Sequence, residues 1–262
     1  MKRRIQLLLA IGTLFLAPAL MVMADTDGQD SGPRGGTAGA GGPLPGLTSG
    51  QLSAFTDGAD DFNSSHSVDG SIRDAEATGL GPTFNLENCG GCHATPDIGG
   101  TSPARNPQFE SAFVAGAVNL IPSFLQRNGP AREARFVLNP DGSPDGSVHN
   151  LFTIAGRSDA PGCNLKQPDF EAENRRGNLA LRIPTPTFGD GLLENIPEDQ
   201  ILANKASAQS EKAMLGITGR ENRNPQDGTI TRFGWKAQNP SLMNFSGEAY
   251  NVEMGVTNSD AG

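Results

Sequence analysis

This 262-residue chain has little with which to build an ordinary core. Aromatic residues make up 6% of it, with one Trp and one Tyr, and only 36% of the chain is hydrophobic. There are three cysteines, too few for the disulfide framework of a small secreted scaffold, and only three histidines. Lys and Arg (20) are outnumbered by Asp and Glu (29), giving a net charge of −9. That balance lacks the basic footprint of a nucleic-acid-binding protein. No repeat of fixed period recurs, and the one long apolar run lies at the N-terminus. What the chain has in excess is 34 Gly and 19 Pro, a loop-rich composition.

The N-terminal run reads as a secretory signal peptide over residues 1–24. Lys2, Arg3 and Arg4 form a basic start, Ile5 to Leu20 is apolar, and Val22-Met23-Ala24 is a small-residue cleavage site. As a membrane span the run is barely long enough and Pro18 interrupts it, so a membrane association is expected only if the signal stays uncleaved. Export predicts a periplasmic location. Removing the signal takes away three positive charges and no negative ones, leaving the mature chain more acidic. Residues 25–46, rich in Gly, Pro and Ser, are expected to be a linker.

Two of the three cysteines fall in Cys89-Gly90-Gly91-Cys92-His93. A CxxCH places two thiols within reach of the two vinyl groups of one porphyrin, and the following imidazole beneath the ring as the proximal iron ligand. The pattern therefore predicts covalently attached haem c, with its iron on His93. Two other chemistries use a CxxC. A redox dithiol would open a helix after a buried strand, whereas Pro82 to Asn88 reads as irregular; zinc would need a fourth ligand, and the remaining Cys163 is far along the chain. Haem attachment occurs on the exported side of a membrane, in keeping with the signal. The ring would also supply apolar mass that the composition lacks.

Along residues 47–262 the pattern predicts a haem-binding domain of mainly α, loop-rich, cytochrome c-like fold. Leu47 to Phe62 reads as a first helix capped by Thr48 or Ser49, with Leu52, Phe55 and Phe62 on its apolar side. Phe109 to Leu120 fits helix or strand; Arg132 to Leu138 reads as a strand before two Pro-Asp-Gly turns. Leu179 to Leu193 is extended and turning, Pro197 opens a helix running to about Ala206, and Pro240 to Met254 holds a last helix before Gly255.

Several segments in order resemble the di-haem oxidoreductase family, exported proteins also labelled thiol oxidoreductases and related to bacterial di-haem cytochrome c peroxidases. They are Gly79 to Asn85 leading into Cys89–His93 with Pro96 and Gly99-Gly100, Gly129 to Phe136, Phe188 to Pro197, Arg232 to Ala237, and Glu253 to Thr257. The resemblance spans about residues 47–258. Members carry a second CxxCH, which this sequence lacks, so the expectation is an N-terminal fragment of a di-haem protein, incomplete at the C-terminus. A natural mono-haem protein is the alternative.

The resemblance implies further site residues. Met254 is the first candidate for a distal iron ligand and Met243 the second, although methionines are commonly packing residues. Trp235 would relay electrons between haem centres, or else be a large core aromatic. The residues themselves suggest that Arg232 and Lys236 pair with haem propionates, or are solvated. Glu194 is either an acid–base group for peroxide cleavage or a charge ahead of a helix N-terminus. His66 and His149 read as solvated loop histidines. Nothing around Cys163 would activate its thiol.

These readings converge on a periplasmic, peroxidase-like haem oxidoreductase passing single electrons to a second haem domain or a soluble redox partner such as a small cytochrome or cupredoxin. The rival is a non-enzymatic mono-haem carrier, distinguished by a six-coordinate iron that ignores peroxide. A third reading is a haem-bearing module tethered to the cell envelope by its Gly-rich leader.

Overall fold

A computed structural model describes residues 40–259. The expected signal peptide and most of the expected linker lie outside the described residues. The end of that linker is not free: Gly41 lies against the backbone of Ile98, so close that a Cβ there would meet the Ile98 carbonyl.

The elements run α1 (Ser49–Asn63), β1 (His66–Ser67), β2 (Ala77–Thr78), β3 (Thr83–Phe84), α2 (Gln108–Ser111) and a 3-10 turn at Val114–Gly116. Next come β4 (Glu133–Phe136), β5 (Val148–His149), β6 (Phe152–Thr153), α3 (Phe170–Arg175) and β7 (Leu179–Arg182). The chain continues through α4 (Asp190–Glu194), α5 (Glu198–Ala206), α6 (Gln209–Met214), β8 (Asn222–Arg223), β9 (Ile230–Thr231) and α7 (Leu242–Met254).

The fold corrects the expectation of a mainly α, cytochrome c-like domain. Among the described residues helix accounts for 28% and strand for 13%, the strands forming several small sheets. β1 pairs with β2 in parallel, while β3–β6, β5–β4–β7 and β8–β9 are antiparallel. The physical reason lies in the same Gly and Pro that marked the chain as loop-rich: they interrupt helical periodicity every few residues, so backbone pairing is made by short strands instead.

Local signals nevertheless placed several elements well. Thr48 caps α1 with a capping box, its side chain accepting from Gln51 N while Gln51 bonds back to Thr48 N. Pro197 precedes α5, and Ser241 caps α7 by accepting from Asn244 N. α7 stops at Gly255, whose φ of 66° is the left-handed conformation that glycine adopts without strain. The segment that fitted helix or strand, Phe109 to Leu120, resolves into α2 and the 3-10 turn.

The core gathers Leu80, Phe84, Ala112, Leu125, Ala134, Leu151, Phe152, Ile154, Phe170 and Met254, so it draws on β3, β4, β6, α3 and the end of α7. A buried ion network runs through it. Arg157, 2% exposed, donates from Nε and Nη2 to both oxygens of Asp159 and from Nη1 to Glu87. Ser111 Oγ donates to the second Glu87 oxygen, and Val68 N to Asp159. With every charge paired and bonded, the desolvation cost of burial is offset. Glu87 lies two residues before Cys89, so this network anchors the approach to the CxxCH.

Candidate haem-attachment site

Cys89–His93 forms a tight turn: both Cys92 N and His93 N donate to the Cys89 carbonyl. It is pinned on two sides, by Gly90 N donating to the Phe62 carbonyl at the end of α1 and by Gly91 N donating to Asn88 Oδ1. Side chains crowd both glycines. A Cβ on Gly90 would collide with Asn63 Oδ1, and one on Gly91 with the Leu86 side chain. The turn does not open a helix after a buried strand, which removes the structural context a thioredoxin-like dithiol would need.

The donor chemistry fits haem. Cys89 and Cys92 are free thiols, not joined in a disulfide. Burial pushes the Cys89 thiol up to about 12, with the Glu253 carboxylate adding to the effect, and raises Cys92 further for the same reasons. Such thiols stay protonated, unlike the low-pKa cysteines of redox dithiols. His93 Nδ1 stands 3.0 Å from the Gly100 carbonyl. A carbonyl only accepts, so Nδ1 carries the proton and Nε2 keeps the lone pair a metal would take. Burial lowers the His93 pKa, against the backbone of Gly100 and Thr185, which favours the neutral, ligating ring. Phe62 meets that ring edge-on, centroids 5.8 Å apart.

Among the described residues no group of three or more His, Cys, Asp or Glu side chains could hold a metal ion. Zinc needs such a group of protein ligands, whereas haem iron draws four ligands from the porphyrin and needs only an axial side chain or two. Cys89, Cys92 and His93 would hold the group, the thiols by bonds to its periphery and the imidazole by its iron.

Beside the turn, the C-terminus of α7 crosses the Gly81–Asn85 segment. Gly81 N donates to the Met254 carbonyl, Asn85 N to the Glu253 carbonyl and Asn85 Nδ2 to Glu253 Oε2. Backbone approaches backbone here, and a Cβ on Gly81 would strike the Gly255 carbonyl. Desolvation, reinforced by the charge of Glu133, raises Glu253 to about 7. Glu133 in turn pairs with Arg182. Neither acid was singled out from the sequence, nor was the Glu87–Arg157–Asp159 network. The only hint was an Arg-Ser-Asp step amid small residues at Ala155 to Gly162.

The remaining sequence candidates are engaged as follows. Met254 is 1% exposed and packed among Leu80, Phe84 and Phe152 in the core, into which Cys89 also packs; Met243 is 68% exposed. Trp235 is 64% exposed, with the Arg182 guanidinium 4.6 Å from its ring centroid, so it is not a core aromatic. Arg232 donates from Nη1 to the carbonyls of Leu193, Glu194 and Ile196, closing the end of α4. Lys236 pairs with Asp145. Glu194 Oε1 accepts from Leu242 N at the start of α7, a favourable charge at a helix N-terminus, though not the helix its sequence position suggested. Neither His66 nor His149 is a free loop side chain: they lie in β1 and β5, and His149 is part-buried. His66 is buried edge-on to Tyr250, and His149 stacks on Phe136 at 3.8 Å. Cys163 packs partly buried against the core.

Residues 137–261 match the family model described as "Di-haem oxidoreductase, putative peroxidase". The match supports the family resemblance drawn from the sequence motifs. It covers Glu194, Arg232, Trp235, Lys236 and Met254, while Cys89–His93 lies upstream of it. No curated protein and no solved structure matches the chain.

Proposed function

Taking the chain as a di-haem oxidoreductase family member, as the match over residues 137–261 supports, we propose that Cys89–His93 carries one covalently attached haem c for single-electron redox chemistry. The observation that carries this reading is the His93 Nδ1–Gly100 hydrogen bond beside two protonated, unpaired thiols. It presents a neutral imidazole with Nε2 unprotonated, next to two groups able to add across vinyl double bonds. When bound, the haem supplies the one-electron couple of its iron; the chain supplies the rest.

The roles follow from the contacts. Gly100 fixes the tautomer and aim of His93. The Glu87–Arg157–Asp159 network and the Phe62 carbonyl hold the turn still. Glu253, half-buried and held by Asn85, can keep or release a proton near neutrality beside the thiols. A peroxidase-like reaction needs such a group, and Glu253 fills that part better than Glu194, which is bonded to the start of α7. Trp235, exposed over Arg182, suits a contact point for an electron partner, either a second haem domain or a soluble cytochrome or cupredoxin. The protein would work in the periplasm.

The test is expression in a host competent for cytochrome maturation, followed by denaturation. The expected result is pigment that stays with the polypeptide and disappears in the Cys89→Ser/Cys92→Ser double variant. Loss of pigment from the unaltered chain, or zinc in place of iron, overturns the proposal. Reaction of the ferrous protein with peroxide separates an enzyme from a carrier.

A further inference from the structure

Among the described residues, α1 is packed against the rest of the chain only at its last turn. From Ser49 to Asp61 only Ala59 is even half-buried, and Leu52 and Phe55 are 45% and 37% exposed. It is also intrinsically weak, with Gly50 and Gly58 in a 15-residue element. An isolated helix of that length is marginal in water, and helices of this kind gain their stability from packing of one face. The apolar face exists: Leu52, Phe55, Ala59 and Phe62 follow one another at steps of three, four and three residues and form a single stripe. Asp57 and Asp61 lie on the opposite side, together with Ser53.

The stripe runs directly into the attachment turn. Phe62 contacts the His93 ring and its carbonyl holds Gly90 N. At 1.5 Å per residue, Phe55 lies about 10 Å and Leu52 about 15 Å from Phe62 along the axis, a span comparable to a porphyrin. We infer that the Leu52–Phe55–Ala59–Phe62 stripe of α1 is a wall of the haem site, covered by the porphyrin once Cys89 and Cys92 are bonded to it. This rests on the haem reading above and adds the ring's apolar packing surface on the chain. It also accounts for an apolar stripe left in water on a helix whose one firm attachment is the CxxCH turn.

Proton NMR of the unmodified haem-bearing protein tests the idea without a variant. Leu52 methyl and Phe55 ring protons are expected to show porphyrin ring-current or iron-induced shifts that Ala54, off the stripe, does not. Hydrogen exchange provides a second readout: Phe55→Asp is expected to speed amide exchange across α1 by about tenfold or more, and Ser53→Asp to leave it unchanged. Unshifted Leu52 and Phe55 signals in a chain that does carry haem overturn the inference and leave the function proposal standing. Protection of α1 that rises with protein concentration also overturns it, in favour of a second copy as the cover. A chain carrying no haem sinks the function proposal itself.

Discussion

Residues 66–182 and residues 183–241 are built on opposite principles. The first stretch holds nearly all the buried core, the Arg157 ion network and the three-stranded sheet; the second contains α4, α5 and α6, none of which buries a residue. Yet four of the residues that motif reading nominated for chemistry (Glu194, Arg232, Trp235 and Lys236) belong to the second. Their contacts there are helix-end bonds, a surface ion pair and an exposed ring. The attachment turn belongs to the first, where the surroundings are rigid enough to fix a tautomer and two thiol positions. The lesson is that a redox centre needs a held frame, whereas charged and aromatic motifs also serve to stitch a loosely packed excursion to that frame.

Substitutions can break or sharpen this contrast. The largest effect is expected from Arg157→Met, which leaves Asp159 and Glu87 as unpaired charges in the interior. A loss of about 3–5 kcal/mol is expected from such a change, read as a lowered denaturant midpoint; a loss no larger than that of a surface variant would refute the rigid-frame account. Next is Gly81→Ala. Its Cβ must displace the Gly255 carbonyl and with it the end of α7, for about 1–3 kcal/mol. Gly142→Ala, in an open turn, is the comparison for strain without collision.

Smaller effects are expected where the excursion meets the sheet. Asp145 bonds both Lys236 and Arg135, and the Lys236 ammonium, then the Arg135 guanidinium, holds its carboxyl down at about 2. A carboxyl depressed on folding contributes stability that is complete above its ordinary value of 3.8 and lost as pH falls toward 2. The unaltered protein should therefore lose more stability than Asp145→Asn over that window, and salt should shrink the difference. An identical pH profile for the two would show that the bridge joins nothing of consequence. Least of all, Trp235→Phe should change stability by less than about 0.5 kcal/mol, because the ring is exposed. A large thermal shift there would mean the excursion is better packed than its exposure indicates.

Sequence alone determined what short-range physics controls. The CxxCH spacing fixed the attachment chemistry expected at Cys89–His93. Thr48, Pro197, Ser241 and Gly255 set helix ends, because caps and φ restrictions act within a few residues. Only tertiary structure decided the architecture of small sheets and the surroundings of the turn. Arg157 meets Glu87 across 70 residues of chain, and Asn85 meets Glu253 across 168. No local pattern announces such a meeting, since a buried charge depends on partners brought by folding, and an exposed-looking Arg or Glu reads the same until they arrive.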